Sequence, residues 1–220
     1  LQNVDGGFSI RTDEHTAFDW IDANVHSDET IVSPSVTTNM YVAALTPASK
    51  YLKEGFVADP SDDEIVDRYL RTAVAYGFDE ETTFTRIDPI FRCKTTDDYR
   101  CNPPTSNFPF KDISPGLRER EAALETNMAY YLLNWEITHP ETIERRTPAW
   151  RERFRELQAQ SDPLAPNRAD YLYCGPRERL WPVERAASGI SVKVAYEGGE
   201  VTLYRIAEPS DASARPFAGC

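Results

Sequence analysis

Two short stretches carry the side chains best suited to binding chemistry. In "SPSVTTN", Thr37, Thr38 and Asn39 stand where a strand gives way to a helix. Backbone N–H groups left over at a helix start can hold a phosphate there. In "DYLYCGPRERL", Arg177, Glu178 and Arg179 follow a Gly175–Pro176 turn at the end of a short apolar run. The loop beyond a strand's carboxyl end is the usual ligand crevice of an open α/β sheet. Each stretch also has a plainer reading. Thr37 or Thr38 serves as a helix cap, and Gly175–Pro176 turns the chain while its arginines pair with an acid-rich surface. These six residues are the ligand-binding candidates.

No residue is assigned a catalytic role. Asp62, Asp63 and Glu64 open a predicted helix, where carboxylates suit the dipole, and Asp97 and Asp98 fall in a polar loop. The dinucleotide, P-loop and zincin signatures are missing, as is G-x-S-x-G, and His15, His26 and His139 are scattered. No cofactor and no metal ligand set is expected. Two aromatic sets, Tyr130, Tyr131 and Trp135, and Tyr99, Phe108 and Phe110, offer flat apolar surfaces of the kind sugar sites use. The helical set reads as core and the loop set as the better exposed contact.

The four cysteines pair off on different grounds. Cys93 and Cys101 frame "CKTTDDYRC", a polar loop with no apolar reason to carry two thiols, and a disulfide closing it is expected. For Cys174, inside the apolar run, and Cys220, the last residue, a second bridge and a buried inert thiol are both open. A loop disulfide points to an oxidising compartment. No window approaches the roughly 18–20 uninterrupted apolar residues of a membrane helix. The chain begins at Leu1 without a signal-peptide pattern, and a fragment of a longer protein is the favoured expectation over a mature secreted chain.

A formal charge of −12 argues against nucleic acid as a partner, because binding to phosphate backbones is driven by basic residues. The arginines cluster at 118–120, 145–155 and 177–185, which read as solvated helix faces.

The elements that must position these residues follow from periodicity. Ala17, Trp20, Ile21 and Val25 predict a helix over 13–25, Thr30–Ser33 a strand ended by Pro34, and Met40, Tyr41, Ala44 and Leu45 a second helix stopped by Pro47. "KYLKEGFV" reads as a short strand. Ser61 or Asp62 caps a third helix on Ile65, Tyr69, Leu70 and Val74, ended by Gly77. "TTFTRIDPIF" reads as a strand leading into a disulfide-closed excursion around 82–116, followed by a helix from Ser114 on Leu117, Leu124, Met128, Tyr131, Leu132 and Trp135. "TPAWRERFRELQAQ" predicts a helix on Trp150, Phe154 and Leu157, "ADYLYCG" a buried strand, and the alternation around Gly198–Gly199 a hairpin. The tail after residue 206 reads as irregular. The sum is a single α/β domain over 1–220, its sheet partly parallel, flanked by helices, with a C-terminal antiparallel hairpin.

The helix bearing Trp20 and Asn24, the strand Glu29–Val32, Asn39 opening the next helix, and Tyr51 after it form an ordered set. With Asp170, Tyr171, Gly175–Arg179 and the final Leu203–Ile206, this set resembles the soluble C-terminal domain of polytopic membrane proteins of the GT-C glycosyltransferase type. Two places depart from that pattern: "TPASK" replaces a glycine-arginine-rich turn, and "LKEGF" replaces a glycine-histidine pair. The resemblance implies that catalytic acids belong to loops between membrane helices outside this chain. It also implies a position on the extracytoplasmic face of the cytoplasmic membrane, periplasmic or cell-surface, anchored through upstream spans. The expected partners are then the N-terminal transmembrane region of the same chain and a lipid-linked sugar or glycan acceptor. Two alternatives stay open: a free-standing secreted small-ligand-binding protein or enzyme, and a protein-interaction domain.

Overall fold

The computed structural model describes residues 10–53, 61–85, 140–165, 167, 169–180, 189–208 and 210–220. In chain order they form α1 (Thr12–Asn24), β1 (Thr30–Val32), α2 (Val36–Leu45), β2 (Ser49–Lys50), α3 (Asp62–Ala75), α4 (Glu80–Thr85) and α5 (Pro140–Gln158). Then come β3 (Tyr171–Cys174), a 3-10 turn (Glu178–Leu180), β4 (Ser191–Gly198), β5 (Val201–Ile206) and β6 (Arg215–Pro216). The strands make a mixed sheet in the order β2-β1-β3-β5-β4-β6. β1 runs parallel to both β2 and β3, whereas β5, β4 and β6 continue the sheet antiparallel, so the α/β class with its C-terminal hairpin is observed.

Successive strand residues point to opposite faces, and the sheet is buried on both. Ile31, Tyr171, Tyr173, Val201 and Leu203 meet Ala17, Phe18 and Ile21 of α1 and Val42 of α2 on one face. Val32, Leu172, Cys174 and Val192 meet Leu70, Ala73, Phe154 and Leu157 of α3 and α5 on the other. Near-continuous apolar strands such as "YLYC" are what burial on both faces requires. Between α3 and α5, Asp67 accepts from Arg153 Nε (2.8 Å), while the buried Arg71 donates to the carbonyl oxygens of Pro163 (2.8 Å) and Ala165, fastening the loop after α5.

Several elements differ from the sequence reading. Residues 82–85 belong to α4 rather than to a strand: Asp79 accepts from the Thr82 N–H as a cap, acidic Glu80 and Glu81 fill the first turn, and Phe84 packs edge-on against Phe154. α5 begins at Pro140, well before Thr147, and runs through Pro148, whose ring lies on the exposed side. β2 is only Ser49–Lys50, shorter than the strand read from "KYLKEGFV". β4 extends through Gly198, so the two-residue turn is Gly199–Glu200, with Gly199 at φ +58°. The tail is not irregular throughout. Arg215–Pro216 pairs with β4, and Phe217 sits edge-on to Tyr76 and Tyr204 with centroids at 5.6 and 5.4 Å. The Cys93–Cys101 loop, the helix expected after Ser114 and the two aromatic sets of residues 99–135 lie outside the described residues.

Candidate functional site

The carboxyl ends of β1 and β3 lie side by side, and α2 starts from the same corner. Local sequence explains the turn out of β1. Ser35 adopts an extended backbone at the N-cap of α2 and its Oγ accepts from the Thr38 N–H (3.0 Å). Ser33 Oγ accepts from the Ser35 N–H (2.9 Å). Asn39 folds back on this junction, its Nδ2 donating to the carbonyl oxygens of Ser33 (2.9 Å) and Ser35 (2.7 Å). Thr37, Thr38 and Asn39 are all buried.

Glu178 closes the corner from β3. Its carboxylate is 1 % exposed and accepts at Oε1 from Ser33 Oγ (2.6 Å) and Thr38 Oγ1 (2.7 Å), and at Oε2 from the Gly175 N–H (2.9 Å). Burial pushes its pKa up, opposed by the Ser33 and Thr38 donors. An anion at a helix N-terminus is electrostatically favoured, and here the anion is part of the chain. Where an open α/β sheet usually receives a ligand, this one holds its own glutamate.

Arg177 and Arg179 turn the other way. Arg177 pairs with the buried Glu14 of α1, and its guanidinium lies 5.6 Å from the Tyr41 ring centroid. Glu14 also accepts from the Arg11 N–H (3.1 Å), so one carboxylate both caps α1 and ties it to the turn after β3. Arg179 is exposed and donates to the Glu200 carbonyl at the hairpin tip. The structure thus brings Thr38 and Glu178 into contact, sets Asn39 within the same junction, and sends Arg177 and Arg179 to two separate partners.

Tyr173 sits between these groups. Its ring stacks on Phe18 (5.6 Å, 9°) and crosses Gly175, where a Cβ would come within 2.7 Å of Tyr173 Cε1. Its hydroxyl is buried with no hydrogen-bond partner among the described residues, and burial, with Glu178 and Glu14 nearby, drives its pKa up. Just after α3, the Tyr76 hydroxyl lies 2.8 Å from both the Val32 and the Tyr173 carbonyl oxygens and shares its one proton between them, binding the two strand ends from the opposite face. Sequence reasoning missed Ser33, Glu14, Tyr173 and Tyr76 as parts of this corner. Glu14 had a readable signal, an acid in the first turn of a helix.

Cys174, the last residue of β3, forms a disulfide with Cys220, with Cα atoms 5.4 Å apart. The bridge fixes the end of the chain beside the corner, on the face of α3 and α5. Among the described residues no group of three His, Cys, Asp or Glu could hold a metal ion, and no helix is long and apolar enough to cross a membrane. No family model, curated protein or solved structure matches this chain.

Proposed function

We propose that this chain is the non-catalytic extracytoplasmic domain of a membrane-embedded glycosyltransferase-like protein, where it assists acceptor recognition or access to the membrane site. The observation that carries the reading is the corner itself. The segments on which the resemblance rests, α1 through β2 and β3 with its Gly175–Arg179 turn, are neighbours in one unit, joined by Glu178 to Ser33 and Thr38 and by Arg177 to Glu14. A glutamate with both oxygens committed to protein donors is a framework group rather than a general acid or base, which fits a domain whose chemistry lies elsewhere. A disulfide between β3 and the last residue fits an oxidising compartment.

The test is the coding sequence upstream of Leu1, followed by protease treatment of intact spheroplasts. The reading predicts several hydrophobic spans and cleavage of this domain from outside. A lone signal peptide, or a domain shielded until the membrane is broken, overturns it.

A further inference from the structure

A second cluster of part-exposed side chains lies away from the corner, on the edge where α1 meets β4. Trp20 of α1 and Tyr196 of β4 are both partly exposed, with ring centroids 5.5 Å apart and planes tilted by 38°. A bulge sets Tyr196 there. Val194 is paired with Tyr204 and Tyr196 with Leu203, so Ala195 is the extra residue. Before the bulge Val192 belongs to the core on the α3 and α5 side; beyond it Tyr196 packs on the α1 side. Bulges commonly re-aim a side chain in this way. Gly198 completes the arrangement, because the Tyr196 ring lies across it where any Cβ would collide.

The polar ends of this pair are uncommitted. Neither the Trp20 indole N–H nor the Tyr196 hydroxyl makes a hydrogen bond among the described residues. One turn further along α1, the exposed Asn24 donates its Nδ2 to the Trp20 carbonyl oxygen (2.8 Å), and its amide oxygen makes no hydrogen bond among the described residues. Two part-exposed aromatic rings with an N–H donor, a hydroxyl and an amide oxygen are the group types that suit a sugar ring, which offers an apolar C–H face edged by hydroxyls. The charge around it selects further. Exposed Glu197 follows Tyr196, and Asp13 and Glu200 join at the hairpin tip through the Glu200 N–H (2.9 Å), while Arg11 is engaged by Glu200. The tip carries both signs, Arg11 and Arg179 standing beside Glu200, and the net charge of −12 over the chain disfavours anionic glycans.

We infer that Trp20, Tyr196 and Asn24 form a binding site for a neutral pyranose unit of a glycan. The site does not depend on the membrane placement proposed above: a free-standing chain and a membrane-anchored one would bind the sugar equally well.

Saturation-transfer NMR on the 220-residue chain tests it, with the methyl α-pyranosides of glucose, mannose and galactose and with chitotriose as probes. The expected result is transfer to the ring C–H protons of at least one probe at millimolar concentration. Tyr196→Ala then reduces the transfer by about tenfold, and Tyr196→Phe retains most of it. Circular dichroism confirms that each variant is folded; because Trp20 packs against the core, Tyr196→Ala is the decisive variant. Absence of transfer to all four probes from the folded wild-type chain overturns the site, as does transfer that persists undiminished in Tyr196→Ala.

Discussion

The Thr38 hydroxyl donates to Glu178 Oε1 across 2.7 Å, although the residues stand 140 positions apart in the chain. That bond joins the first residues of α2 to the turn leaving β3. The corner depends on a buried carboxylate whose two oxygens are both taken by protein donors.

Removal of Glu178 should therefore be costly. Glu178→Ala strands the Ser33 and Thr38 hydroxyls and the Gly175 N–H in a buried site, and a loss of about 2–4 kcal/mol is expected from urea unfolding. A loss below about 1 kcal/mol would show that the three donors find other partners.

Tyr173 and Gly175 give a pair of opposite sign. Gly175→Ala drives a Cβ into the Tyr173 ring and should cost about 1–3 kcal/mol. Tyr173→Phe removes a buried hydroxyl that has no partner among the described residues, so it should be neutral or stabilising by about 1 kcal/mol in the same assay. A strongly destabilised Tyr173→Phe would mean that the hydroxyl is satisfied.

Reduction of the Cys174–Cys220 bridge, or Cys220→Ser, should lower stability by about 2–4 kcal/mol, since the bridge closes a loop with a sequence separation of 46. Unfolding curves with and without dithiothreitol measure it. The Cys220→Ser chain should show no further response at this bridge.

The acid limb of stability should divide by sign. Burial pushes Asp67 up, but Arg71 and Arg153 outweigh it and leave the carboxyl below 3.8; Arg155, then Arg151, hold Glu80 below 4.5 against the smaller effect of burial. Their folded pKa values lie under the unfolded ones, so their contribution is present above those values and lost as pH falls through the folded ones. Glu178 runs the other way: its raised pKa favours the fold in acid, and that contribution is lost as pH rises through the folded value. In unfolding measured from pH 2 to 7, Asp67→Asn should flatten the acid limb, whereas Glu178→Gln should compare better with wild type as pH rises. Parallel pH profiles for both variants would contradict these assignments.

How much of this was legible beforehand varies with the range of the interaction. Helix α3 could be read because its cap, apolar stripe and terminal Gly77 lie within one segment, and the hairpin because alternation and a glycine pair are local signals. Helix α4 misled because threonine and phenylalanine suit a strand, while the Asp79 cap and the Phe154 contact that hold it as a helix depend on neighbours. In the tail, no period exists in two residues; β6 forms because β4 offers it an edge and Tyr76 with Tyr204 receive Phe217.

The sequence by itself determined the class of the fold, the positions of most elements and the residue types at the β1 and β3 ends, because periodicity, caps and turn chemistry are properties of short segments. Only the tertiary structure decided what those residues meet. Parallel pairing of β1 and β3 puts Glu178 against Ser33 and Thr38, α1 brings Glu14 to Arg177, and a one-residue bulge turns Tyr196 toward Trp20. Each of these contacts joins segments far apart in the chain, and its partner is set by strand order and register rather than by any pattern that a single segment carries.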